Sequence, residues 1–251
     1  MDPKRPEGAI QLPLISKDEL AARIDHALLK PAATPADLEK AIKELESFSL
    51  RCLVVTPTLA PRARVSTKHC IGAVAGFPYG YHPLQAKLKE VEELAGIGVD
   101  EVDYVMNTQE LLAGEPEAYK SEARAVSELC RSLGVRCKLI IETPLLDTAD
   151  NIARATRLIL SSIRGDYVTH IKTSTGFAAR PTYPEDVVAI HRVITEEGAT
   201  IGVKAAGGIR TAIQALLMIG LGADIIGTSK PSALLLGVER LPQMLVLAQG
   251  R

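Results

Sequence analysis

The chain has 251 residues, 47% of them hydrophobic and 24% charged, with 29 Lys+Arg against 30 Asp+Glu. That length suits one large domain, and the apolar content with a net charge of −1 excludes a disordered chain. Near-zero charge also argues against a protein that tracks nucleic acid or an anionic membrane through a broad positive field, while leaving room for a local anion pocket.

In chain order, residues 1–16 carry prolines and charges without an apolar run. They read as an N-terminal arm ahead of a domain over 17–251, with no secretory leader and a cytoplasmic setting expected. No later apolar run approaches the ~20 residues of a membrane span. Short apolar, β-branched runs follow at 24–28, 52–56, 71–75, 101–105, 138–141, 167–171, 201–204 and 224–226. Helical segments separate most of them. Thr34-Pro35 supplies a cap and a first-turn proline before Leu38, Ile42 and Leu45, which share one helix face. Pro116 opens a second segment that Gly134 closes, Pro184 opens a third, and Thr211 caps a fourth. Alternation of this kind to the chain's end predicts parallel β/α units closed into a (β/α)8 TIM barrel, for which about 250 residues is typical. A G-x-G-x-x-G turn after the first strand is missing, which argues against an open dinucleotide-binding sheet. Cys52, Cys70, Cys130 and Cys137 form no C-x-x-C pair and are expected to be reduced and structural, with no metal site.

Such barrels do their chemistry at the C-terminal ends of the strands. Two lysines stand out there: Lys172 directly after the sixth run and Lys204 at the end of the seventh. Neighbouring strands lie about 4.8 Å apart, so two inward ammonium groups would disfavour each other's charge. A neutral lysine attacks carbonyls and forms a Schiff base; the alternative is a pair of lysines reaching to solvent at the rim. Asp103, two strands away from Lys172, has two readings: a proton carrier or a buried ion-pair partner. Asp25 and Glu142 read as weaker candidates, each equally a structural partner for a lysine. His170 shares the parity of Lys172 and reads as a hydrogen-bonded core residue. Gly176, Gly207, Gly208 and Ser229 follow three consecutive strands, where backbone N–H groups and a hydroxyl can cradle phosphate.

At these residues the sequence resembles the deoxyribose-phosphate aldolase family of class I, Schiff-base enzymes. The matching stretches include Ile24-Asp25-His26, Gly76 to Gly80, Glu101 to Asp103, Lys138 to Glu142, Lys172 to Gly176, Val203 to Arg210 and Gly227 to Ser229. Lys-Thr-Ser-Thr-Gly followed some thirty residues later by Val-Lys-Ala-Ala-Gly-Gly-Ile-Arg is the specific combination. The resemblance implies that Lys172 forms the Schiff base, that Lys204 perturbs its pKa and that Asp103 relays protons. It implies reversible cleavage of 2-deoxy-D-ribose 5-phosphate to D-glyceraldehyde 3-phosphate and acetaldehyde, without a metal or other cofactor, in a homodimer or homotetramer. The substrate- and phosphate-binding set expected on this basis is Asp25, Thr173, Gly176, Gly207, Gly208, Ser229 and Lys230. Alternatives are an aldolase of another phosphorylated sugar, or a phosphate-binding barrel that is an isomerase or a sensor. Departures from the family pattern are Ala27 in place of the usual Thr, Val54 in place of a strand 2 Cys, and Lys230 after Ser229. The last tyrosine is Tyr183, so the C-terminal tyrosine of some members has no counterpart.

Overall fold

The computed structural model describes residues 12–164 and 166–249. Residues 1–11 of the expected arm lie outside them. The helix α1 (Lys17–Ala21) begins at a Ser16 capping box and reaches the far end of the chain through Lys17, whose ammonium meets Glu239 at 3.0 Å.

Eight β-branched or alanine-rich runs become eight parallel strands. They are β1 (Ile24–Leu28), β2 (Cys52–Val55), β3 (Ile71–Ala75), β4 (Glu101–Val105), β5 (Arg136–Ile140), β6 (Val168–Lys172), β7 (Gly202–Ala206) and β8 (Ile225–Thr228). Each pairs with its sequence neighbour, and β8 pairs back to β1 (Asp25 opposite Gly227), closing the barrel. The helices between strands are α2 (Pro35–Ser47), α3 (Ala60–Ser66), α4 (Leu84–Ile97), α5 (Thr108–Leu112), α6 (Pro116–Leu133), α7 (Thr143–Leu146), α8 (Ala149–Leu160), α9 (Pro184–Glu196) and α10 (Ala212–Gly220). After β8 the chain continues as α11 (Pro231–Gln249).

Local sequence explains the ends. Thr34 Oγ1 accepts from the Asp37 N–H at 3.2 Å while the Asp37 carboxylate accepts from the Thr34 N–H at 2.8 Å, a reciprocal cap that starts α2. The face of α2 carrying Leu38, Ala41, Ile42 and Leu45 then packs onto the barrel. The strands form a core in which one face meets these helices and the other fills the barrel interior.

Several strand boundaries and one bond differ from the sequence reading. The strand β5 starts at Arg136, and β7 runs on to Ala206, so Lys204 lies mid-strand, below the rim. Small Ala205 and Ala206 carry little β signal, which is why the sequence reading ended the strand at Lys204. Cys52 and Cys70, expected to be reduced, are joined by a disulfide; Cys130 and Cys137 are free and buried. Adjacent strands bring their starts together, so 18 residues of separation collapse to a Cα–Cα distance of 4.6 Å. Among the described residues no helix is long and apolar enough to cross a membrane.

Candidate active site

The strand pleat decides which side chains meet. On β4, Glu101 and Asp103 share the inward face; on β5, Lys138 stands opposite Asp103; and Lys172 stands opposite Lys204 across β6 and β7. All five are nearly or fully buried. Lys172 and Lys204 both donate to the same oxygen, Asp103 Oδ2, at 2.9 and 2.6 Å. Lys204 also donates to Asp25 Oδ2 at 2.5 Å. Lys138 pairs with Glu101, and its nitrogen lies 3.3 Å from Asp103 Oδ1. Arg51 closes the network from below, donating to Asp25 at 2.5 Å and to both oxygens of Glu101.

The electrostatics follow from burial and neighbours. Burial pulls the Lys172 pKa down; Asp103 opposes this, and repulsion from Lys204 and Lys138 adds to it, leaving a value of about 8. Lys138 goes the other way, because Asp103, Asp25 and Glu101 together outweigh its burial and raise it. Burial would raise the Asp103 carboxyl, yet Lys172, Lys204 and Lys138 hold it well below its ordinary value. Arg51, Lys138, Lys172 and Lys204 are thus set against Asp25, Glu101 and Asp103. These seven groups balance in charge when Lys172 is neutral, and the half-exposed Arg136 adds a further cation 3.4 Å from Glu101.

Above the cluster opens a cavity of about 630 Å³, with Lys172 and Lys204 in its wall. Its mouth lies between the strand-end loops of β6, β7 and β8 and the loop that follows β1.

The sequence profile of the DeoC/LacD family aldolase group matches residues 20–221. A deoxyribose-phosphate aldolase of Aeropyrum pernix is 36% identical over 219 residues, covering 85% of this chain and 88% of that protein. One of Thermus thermophilus is 37% identical over 222 residues, covering 87% and 96%. The chain belongs to the DeoC/LacD aldolase family. Among solved structures, a deoxyribose phosphate aldolase from Aeropyrum pernix described as tetrameric superposes with a TM-score of 0.79 at 32% identity, covering 91% of this chain and 93% of that one.

In this aldolase the expected rim residues Gly176, Gly207, Gly208, Ser229 and Lys230 all line the cavity. Gly207 has φ 106, and a Cβ there would meet Ser174 Oγ at 3.0 Å and Thr182 Oγ1 at 3.1 Å. Ala27 and Val54, two of the departures from the family pattern, face the same cavity. Asp25 and Thr173 do not form part of its wall. Asp25 is wholly buried under Lys204, and the Thr173 hydroxyl donates to Ala206 O at 2.9 Å and accepts from Ala206 N at 3.0 Å. Thr173 therefore stitches β6 to β7 rather than facing substrate. Its parity is opposite to that of Lys172, which is the signal the sequence reading passed over. Glu142, considered as a lysine partner, bonds instead to Ser174 and Thr175. His170 is held down to about 4 by burial, aided by Lys138, and its ring contacts Thr169 Oγ1 at 2.9 Å.

Sequence reasoning missed Arg51, Glu101 and Lys138 as members of the network, and Lys30, Lys40, Thr175 and Arg210 on the cavity wall. Glu101 and Lys138 were findable by parity, each sharing a strand face with an inward residue. Among the described residues, the one grouping with metal-ligand geometry is Cys52, Cys70 and Glu101. Its sulfurs are bonded to each other and its carboxylate is held by Arg51 and Lys138, so it does not offer a coordination site.

Proposed function

We propose that this aldolase reversibly cleaves 2-deoxy-D-ribose 5-phosphate to D-glyceraldehyde 3-phosphate and acetaldehyde through a Schiff base on Lys172. The observation that carries the proposal is a buried lysine with a pKa of about 8, sharing one carboxylate oxygen with a second lysine at the base of a basic-rimmed cavity. A fraction of Lys172 is neutral near pH 7–8, and its nitrogen attacks the C1 aldehyde of the open-chain sugar. Loss of water gives a protonated imine, whose positive nitrogen accepts the electrons released when the C2–C3 bond breaks. The C3 hydroxyl proton leaves as the new aldehyde forms, and the remaining two-carbon enamine is protonated and hydrolysed to acetaldehyde. Asp103, whose Oδ2 accepts from both Lys172 Nζ and Lys204 Nζ, joins the two lysines in the proton path for these transfers. The imine itself is the electron sink, so the chemistry has no need of a metal, and chelator treatment is expected to leave turnover unchanged.

Gly207, Gly208, Ser229 and Lys230 are suited to the phosphate, with Gly176 on the adjoining loop. A phosphate ester of this kind does not cross a bilayer, which favours the cytoplasm as the place of action. A homodimer or homotetramer of 17–251 barrels belongs to the same proposal, supported by the tetrameric relative and tested by light scattering. The decisive experiment is borohydride reduction in the presence of acetaldehyde. An ethyl group on Lys172 is expected, and no adduct on any lysine would sink the reading.

Ala27 and Val54 in the cavity wall favour a second reading, in which another phosphorylated aldol is preferred. It fails if deoxyribose 5-phosphate has by far the highest kcat/KM in a panel of sugar phosphates.

A further inference from the structure

Glu142 follows β5 and holds two unfavourable states at once. Its backbone is left-handed, φ 52 and ψ 64, a region that non-glycine residues seldom adopt and that tends to occur where structure serves function. The residue is 5% exposed, and among the described residues no cation pairs with its carboxylate. What it does have is three donors from the segment just after Lys172. Oε1 accepts from Ser174 Oγ at 2.5 Å, and Oε2 accepts from Thr175 Oγ1 at 2.5 Å and from the Thr175 N–H at 3.1 Å.

The two hydroxyls pass this order on. A hydroxyl that donates its proton to Glu142 turns its lone pairs toward other donors. Ser174 Oγ accepts from the Gly176 N–H at 2.9 Å, and Thr175 Oγ1 accepts from the Phe177 N–H at 3.2 Å. Ser174 Oγ also packs against Gly207 on the next loop, closely enough that a Cβ there would crowd it at 3.0 Å. One carboxylate thereby fixes Thr175, Gly176 and Phe177, and seats Gly207, all four of them in the cavity wall. Glu142 itself is not in that wall.

We propose that Glu142 is a positioning residue for the phosphate end of the substrate, acting through Ser174 and Thr175. This rests on the phosphorylated substrate proposed above. A carboxylate is required because all three partners donate. Glutamine has one acceptor oxygen and a donor NH2 group, so one hydroxyl loses its charged acceptor and must turn its proton elsewhere, which loosens the orientation in which it accepts the backbone N–H.

The sign of the effect separates positioning from simple charge. Removing a negative charge near the phosphate would by itself tighten binding and lower KM. Loss of loop order raises it.

The test compares wild type and Glu142→Gln on deoxyribose 5-phosphate and on unphosphorylated deoxyribose, together with borohydride trapping of Lys172 by acetaldehyde. Expected for the variant is a KM for the phosphate ester raised about tenfold or more, the order expected when a hydrogen bond to an ordering charge is lost. The trapping rate and the kcat/KM for unphosphorylated deoxyribose should stay within about threefold, so that preference for the phosphorylated sugar shrinks. An equal loss on both sugars, or an unchanged KM, overturns the inference. A wild type with no preference for the phosphorylated sugar overturns the substrate reading and this inference with it. Should Glu142→Gln fail to fold, Ser174→Ala decides: a selective rise in KM for the phosphate ester supports the relay, and no selective rise overturns it.

Discussion

Lys172 owes its reactivity to standing at the end of a strand, buried from water yet open to a cavity. Only the neutral amine attacks a carbonyl, so kcat/KM is expected to fall as pH drops below the Lys172 value of about 8. Replacing Lys204 with Leu removes a repelling charge, raises that pKa and moves the acid limb of the profile alkaline; a limb that stays put would rule out Lys204 as a cause and leave burial and Lys138. Asp103→Asn acts in the opposite sense, because Asp103 favours the charged lysine. Its limb should move acid while kcat falls, by about 10²–10⁴-fold if Asp103 carries the proton transfers. The two shifts together test the shared oxygen that joins the three residues. These three were legible in the sequence because period-two alternation puts Lys172, Lys204 and Asp103 on inward faces. Lys138 and Glu101 have the same inward parity, Lys138 standing opposite Asp103 and Glu101 at the start of the same strand as Asp103, but neither ends its strand. Arg51 precedes its strand, so no parity applied to it.

At the scale of elements, the loop after β3 is held from two helices. Glu90 of α4 accepts the Gly76 N–H at 2.6 Å, and buried Lys87 donates to Gly80 O at 2.5 Å and Val105 O at 3.1 Å. Lys87 also pairs with Glu122 of α6, which in turn receives Tyr104 Oη–H and the Asn107 N–H. The loop so fixed presents Phe77 edge-on to Phe177 in the cavity wall, with ring centroids 5.2 Å apart. Lys87→Met leaves Glu122 buried and unpaired, so a loss of about 3–5 kcal/mol in urea unfolding is expected. Adding Glu122→Gln removes the orphan charge and should recover part of that loss. The sequence displayed the Gly-Phe-Pro-Tyr-Gly loop but not its fastening. Lys87 and Glu122 are charged residues on amphipathic helices, and such residues are ordinarily solvated; only the packing of α4 on α6 turns them inward.

For the whole molecule, the interior charge cluster ties folding to pH. Asp25, Glu101 and Asp103 all have folded pKa values pulled below their ordinary range by the surrounding cations, against the effect of burial. Their contribution is therefore complete above about pH 4 and is lost as pH falls through the depressed folded values. Lys172 behaves differently: its lowered pKa makes stability rise between about 8 and the ordinary 10.5. Urea midpoints that fall steeply on acidification below pH 4 are the expected record of the carboxylates. The Cys52–Cys70 bond closes a separation of 18 residues, for which loop-closure entropy gives about 3 kcal/mol. Replacing both cysteines by serine should lower unfolding free energy by about that amount while kcat/KM holds. The barrel itself was legible as eight runs and their helices, because each unit carries its own caps and periodicity. Its disulfide was not, since contact between the starts of β2 and β3 exists only once those strands pair. One consequence of the Thr173 stitch is that Lys172 and Lys204 cannot drift apart independently, because the strands carrying them are tied one residue above by the bonds to Ala206. The bond-breaking tool is thus a fixed frame, and the rim around Ala27, Lys30, Lys40 and Arg210 is where altered substrate range can evolve, or be engineered, without disturbing it.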